Sequence, residues 1–242
     1  MAIHLGHVHE LMRYPVKSMA GVSANSALLG WHGLQGDRRF AFRRVNDKSG
    51  FPWLSASRLH ELLLYQPLGF AEDAGEPAPT HVRTPEGIEL ELESAELRDS
   101  VAEKLGQAVE LMKLRHGVFD EATVSVINLA TISGIGREAQ RQLDTRRFRP
   151  NIVIQTEADE PFMEDGWVGG SLVFGNEDSG PTVNITMRDE RCVMINLDPD
   201  TAQSDPHIMK TVVRLNDNWA GVYGTVVRTG ELSVGDAVRL IT

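Results

Sequence analysis

Short runs of alternating apolar and polar residues dominate the C-terminal half of the chain. Glycine or Asn/Asp turns separate these runs, which cover residues 172–174, 183–187, 192–197, 212–215, 222–227 and 237–241. A period of two predicts β-strands, and many short strands joined by such turns are typical of a β-barrel rather than of alternating βαβ units. Runs at 3–12, 22–29 and 39–45 predict further strands in the N-terminal half.

A helical period replaces the alternation at two places. Leu97, Val101 and Leu105 share one face of a helix that Ser94 caps and Gly106 ends. A strand at 123–127 runs into a second helix at 129–143. Residues 70–79 are rich in Ala, Gly, Glu and Pro, which predicts a surface loop.

A candidate domain boundary falls near Gly117 and divides the chain into residues 1–116 and 117–242. The predicted class is mainly β, with a barrel, a smaller N-terminal β domain and a few peripheral helices. A chain of 242 residues is long enough for two such units and for a sizeable core.

Composition excludes several classes of partner. The hydrophobic share of 41% and the charged share of 24% are ordinary for a soluble globular protein. A net charge of -10 argues against a nucleic-acid or anionic-membrane partner, since phosphate binding needs a basic surface. A single cysteine forms no intramolecular disulfide, and we see neither a signal peptide nor an apolar run of membrane-spanning length. We therefore expect a cytoplasmic protein.

The single cysteine, Cys192, lies in the stretch 188–202, which reads R-D-E-R-C-V-M-I-N-L-D-P-D-T-A. The alternation after Cys192 predicts a strand, and Asp198-Pro199-Asp200 predicts the turn behind it. An arginine directly before a thiol favours the thiolate, which attacks electrophiles and ligates soft metals. The alternative is that Cys192 is a small buried hydrophobe.

Common catalytic and metal motifs are missing from the sequence. There is no H-E-x-x-H, C-x-x-C or G-x-S-x-G, and no P-loop or G-x-G-x-x-G. We likewise find no motif for pyridoxal phosphate. His4, His7 and His9 are spaced for neither one helix face nor one strand face.

Cations stand beside turns at three separate places. Lys17-Ser18 follows Pro15, Arg38 follows Gly36, and the segment 146–151 reads R-R-F-R-P-N. In so acidic a chain, arginines at strand starts are suited to hold an anionic ligand bidentately. Taken singly, a cation of this kind is more often a solvated loop residue than a ligand-binding one.

Several segments resemble the MOSC superfamily, in the order which that family shows and over nearly the whole chain. They are Y-P-V-K-S (14–18), G-D-R-R-F (36–40), R-F-R-P-N-I-V-I (147–154), R-C-V-M-I-N-L-D-P-D-T (191–201) and G-x-x-x-V-G-D-x-V (230–238). The resemblance is closest to the mitochondrial amidoxime-reducing component and its bacterial relatives. It implies a MOSC N-terminal β-barrel region followed by a MOSC domain.

The resemblance also implies a molybdenum cofactor, that is, molybdenum carried by molybdopterin. Cys192 matches the cysteine whose thiolate ligates the metal, and the dithiolene of the pterin supplies two further sulfurs. The residues expected to bind the cofactor are Lys17, Ser18, Arg38, Thr123, Arg149, Asn151, Arg191 and Cys192.

Two segments depart from the family pattern. The family's acidic residue near the metal corresponds to Glu121 or Asp120, with Glu121 favoured, and the proline expected after it is absent. These two residues join Cys192 as candidate catalytic residues. A T-x-R-like segment is replaced by Ser55-Ala56-Ser57, so an arginine is missing on the substrate side.

The resemblance implies a reductase of small N-hydroxylated or N-oxide compounds. A separate ferredoxin, flavodoxin or cytochrome would supply its electrons. Two alternatives stay open. The first is a carrier or binding module in which Cys192 holds persulfide sulfur or the cofactor, and the second is a structural β protein.

Overall fold

The computed structural model describes residues 2–73, 75–115 and 121–242. Their strands are β1 (Ala2–Arg13), β2 (Val22–Ala24), β3 (Ser26–Gly30), β4 (Gly33–Leu34), β5 (Phe40–Arg44), β6 (Gln66–Asp73), β7 (Glu76–Arg83), β8 (Glu89–Glu91), β9 (Val109–Lys113), β10 (Val124–Asn128), β11 (Ile152–Thr156), β12 (Ser171–Phe174), β13 (Thr182–Glu190), β14 (Trp219–Arg228), β15 (Gly230–Ser233) and β16 (Ala237–Ile241). Their helices are α1 (Ala95–Leu105), α2 (Leu129–Ala139) and α3 (Pro206–Asn216), with 3-10 turns at His60–Leu64, Thr145–Phe148, Met163–Trp167 and Val193–Asn196. The predicted mainly β class is confirmed.

Seven strands form a closed barrel in the order β11-β10-β14-β13-β12-β16-β1. The long first strand closes it, since β1 pairs antiparallel with β16 on one side and with β11 on the other. Apolar side chains from β1, β10, β11, β12, β13, β14 and β16 fill the interior, including Val8, Val126 and Ile154. A strand from the N-terminal end therefore completes a barrel built mainly from the C-terminal half.

A second, smaller β unit contains the sheets β5-β9 and β6-β7-β8. Its core includes Phe40, Phe42 and Val82 together with Leu97 and Val101 of α1. The predicted smaller N-terminal β domain is thus confirmed as part of the fold. The division at 116/117 stays a prediction, because residues 116–120 lie outside the described residues.

Helix α1 begins and ends at the capping residues that the sequence predicts. The Ser94 side chain accepts a hydrogen bond from the Leu97 N–H at 3.2 Å, and Gly106 ends the helix in the left-handed conformation. Burial of Leu97 and Val101 then fastens one face of the helix to the smaller core. No helix among the described residues has the length and apolar character needed to cross a membrane.

Three predictions of local structure were wrong. The strand predicted at 192–197 is a 3-10 turn, and the strand predicted at 212–215 lies within α3. Asp205 caps α3 and Pro206 starts it, a helix signal that outweighs a short apolar run. The surface loop predicted at 70–79 is the β6–β7 hairpin, where strand pairing overrides the low β-propensity of its residues.

A buried carboxyl group holds the start of α2. Glu164, with no exposed surface, accepts a hydrogen bond from Thr131 Oγ1 at 2.7 Å and one from the Asn128 N–H at 3.4 Å. Thr131 Oγ1 in turn accepts one from the Phe162 N–H at 2.7 Å. Burial raises the pKa of Glu164 from 4.5 to about 7, although these hydrogen bonds oppose the rise.

Replacing Glu164 by glutamine should remove a pH dependence of stability. The folded-state pKa lies above the unfolded one, so folding takes up a proton and stability falls as pH rises from about 4.5 to about 7. Relative to Glu164→Gln, the wild type should lose up to about 3 kcal/mol across that window. Urea unfolding between pH 4 and pH 8 measures this difference.

The matched control for this prediction is Glu103→Gln on α1, where the carboxyl group is exposed. We expect its unfolding free energy to follow that of the wild type at every pH. A constant difference between Glu164→Gln and the wild type over the whole range would contradict the prediction.

Candidate functional site

A cavity of about 620 Å³ is lined by residues from the N-terminal segments and from the barrel side. Seven of the predicted site residues line it: Lys17, Ser18, Arg38, Glu121, Arg149, Arg191 and Cys192. These residues are spread over more than 170 positions of sequence, from Lys17 to Cys192. The fold therefore brings most of the predicted site together on one cavity.

Three of these residues have unusual backbone conformations. Ser18, Arg38 and Arg149 have φ values of 66°, 45° and 51°, in the left-handed region that L-residues with side chains seldom adopt. Such residues cost free energy and persist where the surrounding structure holds them, which is common at functional sites. Their occurrence on one cavity supports its assignment as the functional site.

Arg38 is held from behind by buried polar groups. Its Nη1 donates to Asp37 Oδ2 and, at 2.9 Å, to Asn151 Oδ1, and its Nη2 donates to Arg149 O at 3.3 Å. Asn151 is fully buried and also donates to Met12 O at 3.2 Å. Asn151 thus lies behind Arg38 rather than in the wall of the cavity.

Arg191 and Cys192 have opposite surroundings although they are neighbours in the chain. The Arg191 guanidinium is buried and donates from Nε to Ala220 O at 2.6 Å and from Nη1 to Phe148 O at 2.8 Å. Its Nη1 also lies 2.9 Å from Asp189 Oδ2, while its buried Nη2 has no hydrogen-bond partner in the described structure. Cys192 is exposed and lines the cavity, so the alternative of a buried small hydrophobe is wrong.

The remaining residues that the sequence analysis singled out differ in whether they line the cavity. Thr123 donates from Oγ1 to Gly224 O at 3.0 Å and is not part of the cavity lining. Glu121 lines the cavity, whereas Asp120 lies outside the described residues. Ser55 and Ser57, which replace the arginine segment, also line the cavity, and their hydroxyl oxygens lie 2.6 Å apart.

Arg147 is a lining residue that sequence reasoning left out of the site. Its Nη1 donates to Asn196 O at 3.0 Å and its Nη2 to Asp198 Oδ2 at 2.7 Å. Partial burial acts to raise the pKa of Asp198, but hydrogen bonds from the 200–201 turn and the charge of Arg147 hold it below its usual value. Its two-residue spacing from Arg149 was the available signal.

An aromatic side of the cavity was also not predicted. Phe51 and Trp53 line it, and Lys17 Nζ lies 5.4 Å from the centre of the Phe51 ring. The cavity therefore has cationic, thiol and aromatic surfaces together. This combination suits an anionic ligand that also carries flat or soft groups.

Comparison with known families identifies the chain. Residues 113–239, just over half of the protein, match the family described as the MOSC domain, and residues 5–55 match the MOSC N-terminal beta barrel domain. The chain belongs to the MOSC family. The resemblance predicted from the five sequence segments is confirmed.

Two curated proteins are distantly related to this MOSC protein. The molybdenum cofactor sulfurase of Drosophila grimshawi is 26% identical over 243 residues, which is 85% of this chain and 30% of that protein. Mitochondrial amidoxime reducing component 2 of Bos taurus is 27% identical over 132 residues, 49% of this chain and 37% of the relative. The chain thus spans about a third of the length of the curated relatives it matches.

A solved structure has the same fold. The crystal structure of the YUAD protein from Bacillus subtilis superposes with a TM-score of 0.54 at 13% identity, covering 99% of this chain and 97% of that one. At that identity the similarity concerns the fold alone.

Gly221 passes directly against the Arg191 guanidinium, a contact that sequence reasoning missed. Gly221 has a φ of +85°, and a Cβ added there would lie 2.9 Å from Arg191 Nη2 and 2.9 Å from Val126 O. Gly221→Ala therefore combines backbone strain with clashes against the Val126 carbonyl oxygen and the buried Arg191 guanidinium. We expect it to lose about 2–4 kcal/mol of unfolding free energy, measured by urea unfolding.

Gly87→Ala is the matched control, because Gly87 has a φ of +86° with nothing within 4 Å of the added Cβ. We expect it to cost only the strain, about 1 kcal/mol. Equal losses in the two variants would show that the contacts with Arg191 and Val126 place no demand on position 221.

Proposed function

We propose that this MOSC protein is a molybdenum-cofactor-dependent oxidoreductase that reduces N-hydroxylated or N-oxide compounds. The observation that carries the proposal is an exposed thiol, Cys192, in the wall of a cavity that also carries five cationic side chains. A thiolate is a ligand for soft metals, and clustered guanidinium and ammonium groups bind phosphate. Both requirements of a metal-bearing pterin phosphate thus meet in one cavity.

The residues that line the cavity are suited to bind a pterin phosphate that carries a metal. Arg191 Nη2 is a buried donor without a partner in the described structure, and three lining residues have strained backbones. The described residues contain no cluster of three His, Cys, Asp or Glu side chains arranged for a metal ion. A metal that arrives with its own sulfur ligands needs only one from the protein, and Cys192 is that one.

The residues of the chain have distinct roles in this proposal. Lys17, Ser18, Arg38 and Arg149 hold the pterin and its phosphate, Cys192 ligates the metal, and Arg191 orients the segment that bears the thiol. When bound, the cofactor supplies two-electron redox chemistry at a soft metal. Reduction of an N–OH group to N–H takes up two electrons and two protons and releases water.

The protons and electrons have separate sources in the proposal. Glu121, in the cavity lining, is the proton donor we favour, with Asp120 as the alternative. A separate ferredoxin, flavodoxin or cytochrome supplies the electrons. A cytoplasmic location belongs to the same proposal, since a single cysteine forms no intramolecular disulfide and suits a reducing compartment.

A second candidate function is a sulfur or cofactor carrier. The exposure of Cys192 favours it, because a persulfide carrier needs an accessible thiol. The relative that aligns with 85% of this chain is named a molybdenum cofactor sulfurase. A carrier of persulfide has no need of the clustered cations, which is why we rank it second.

The molybdenum content of the protein should depend on Cys192. Protein made in a host that synthesises the cofactor should contain about one molybdenum and one pterin per chain, and Cys192→Ser should lose most of the metal. Elemental analysis measures the metal, and fluorescence after oxidative release measures the pterin. The loaded wild type should reduce N-hydroxylated compounds with a chemical reductant, and Cys192→Ser should not.

Val193→Ala is the matched control, since it alters an exposed neighbour and keeps the thiol. It should retain both metal and activity. Full metal content in Cys192→Ser would contradict the proposal. Wild-type protein without metal or pterin, but with about 32 Da of added sulfur on Cys192, would instead establish the carrier function.

A further inference from the structure

The ring of Tyr14 lies against Arg38 and Arg149, two of the five cationic residues that line the cavity. The Arg149 guanidinium carbon is 4.2 Å from the ring centre, and that of Arg38 is 5.6 Å away. Both distances lie within the range of a cation–π interaction. Tyr14 itself is buried, with 1% of its surface exposed, and is not part of the cavity lining.

We propose that Tyr14 is a positioning residue for anion binding in the cavity: its aromatic face acts together with the hydrogen bonds of Arg149 and Arg38 to orient both guanidinium groups. Two guanidinium groups beside one ring repel each other, although the Asp37 carboxylate paired with Arg38 reduces this repulsion. A ring face attracts both groups and adds no further negative charge. The inference rests on the proposed anion-binding role of the cavity.

The backbone around Tyr14 fixes the ring. The Tyr14 N–H donates to Asp37 Oδ1 at 2.6 Å, and the Arg38 N–H donates to Tyr14 O at 2.9 Å. A Cβ added at Gly21 would lie 2.6 Å from Tyr14 Cε1, so the chain passes directly against the ring. Backbone hydrogen bonds and close packing therefore both fix the position of Tyr14.

The ring, rather than the hydroxyl group, is the part that acts. The Tyr14 hydroxyl is buried and has no hydrogen-bond partner in the described structure. Burial raises the pKa of the Tyr14 phenol to about 12, against the opposing effect of Arg149 and Arg38, so the group is neutral at physiological pH. Phenylalanine at this position keeps the aromatic face and changes no charge, whereas leucine keeps only apolar volume.

The test is phosphate binding by the 242-residue chain, made in a host that lacks the cofactor. Inorganic phosphate is titrated calorimetrically into the wild type, Tyr14→Phe and Tyr14→Leu at low salt. We expect equal dissociation constants for the wild type and Tyr14→Phe, and binding about tenfold weaker for Tyr14→Leu. Pterin content of the same variants made in a cofactor-producing host should follow the same order.

Tyr65→Leu controls for a purely structural effect, because Tyr65 is a fully buried tyrosine in the smaller core. It should lower the melting temperature and leave the phosphate affinity of the folded protein unchanged. Equal affinity in Tyr14→Leu and the wild type, or no phosphate binding by the wild type, would overturn the inference. The expected affinity pattern in a protein that never acquires molybdenum would uphold it while refuting the proposed function.

Discussion

The buried side-chain amide of Asn151 joins three distant segments of the chain behind the cavity. Its Nδ2 donates to Met12 O on β1, and its Oδ1 accepts from Ser125 N on β10 at 3.0 Å and from Arg38 Nη1 at 2.9 Å. A buried amide is costly unless its groups are bonded, so this set of bonds specifies one arrangement of the three segments. A displacement of β1 relative to β10 would therefore also displace Arg38, which couples the closed barrel to the cationic side of the cavity.

Backbone carbonyl groups orient the cavity arginines, and carboxylates pair with three of them. Arg149 donates to Met19 O at 2.8 Å, Arg191 to Ala220 O and Phe148 O, and Arg147 to Asn196 O. A carbonyl oxygen orients a guanidinium group through its dipole, whereas a carboxylate also neutralises it. The carboxylates of Asp37, Asp189 and Asp198, which pair with Arg38, Arg191 and Arg147, therefore balance part of the cationic charge of the cavity.

The segment that bears the thiol is fastened on both sides of Cys192. Arg191 fixes its N-terminal side through bonds to the barrel, and the turn at 198–201 fixes its C-terminal side through the bond of Asp198 to Arg147. Between these points the backbone makes a 3-10 turn and leaves the thiol exposed. An accessible thiol on a well-anchored segment is what either metal ligation or sulfur transfer requires.

Sequence alone determined the features that depend on nearby residues. The cap at Ser94, the stop at Gly106 and the two-residue alternation of the barrel strands act over a few positions, and the motifs around Lys17, Arg149 and Cys192 are contiguous. Short apolar runs led to wrong strand predictions at 192–197 and 212–215. A run of so few residues is compatible with a strand and with a helical turn equally well. Only the tertiary structure decided that Tyr14 lies against Arg149 and that Gly221 makes room for Arg191. The physical reason is that these contacts depend on pairings between distant strands, β1 with β11 and β10 with β14, which no local pattern specifies.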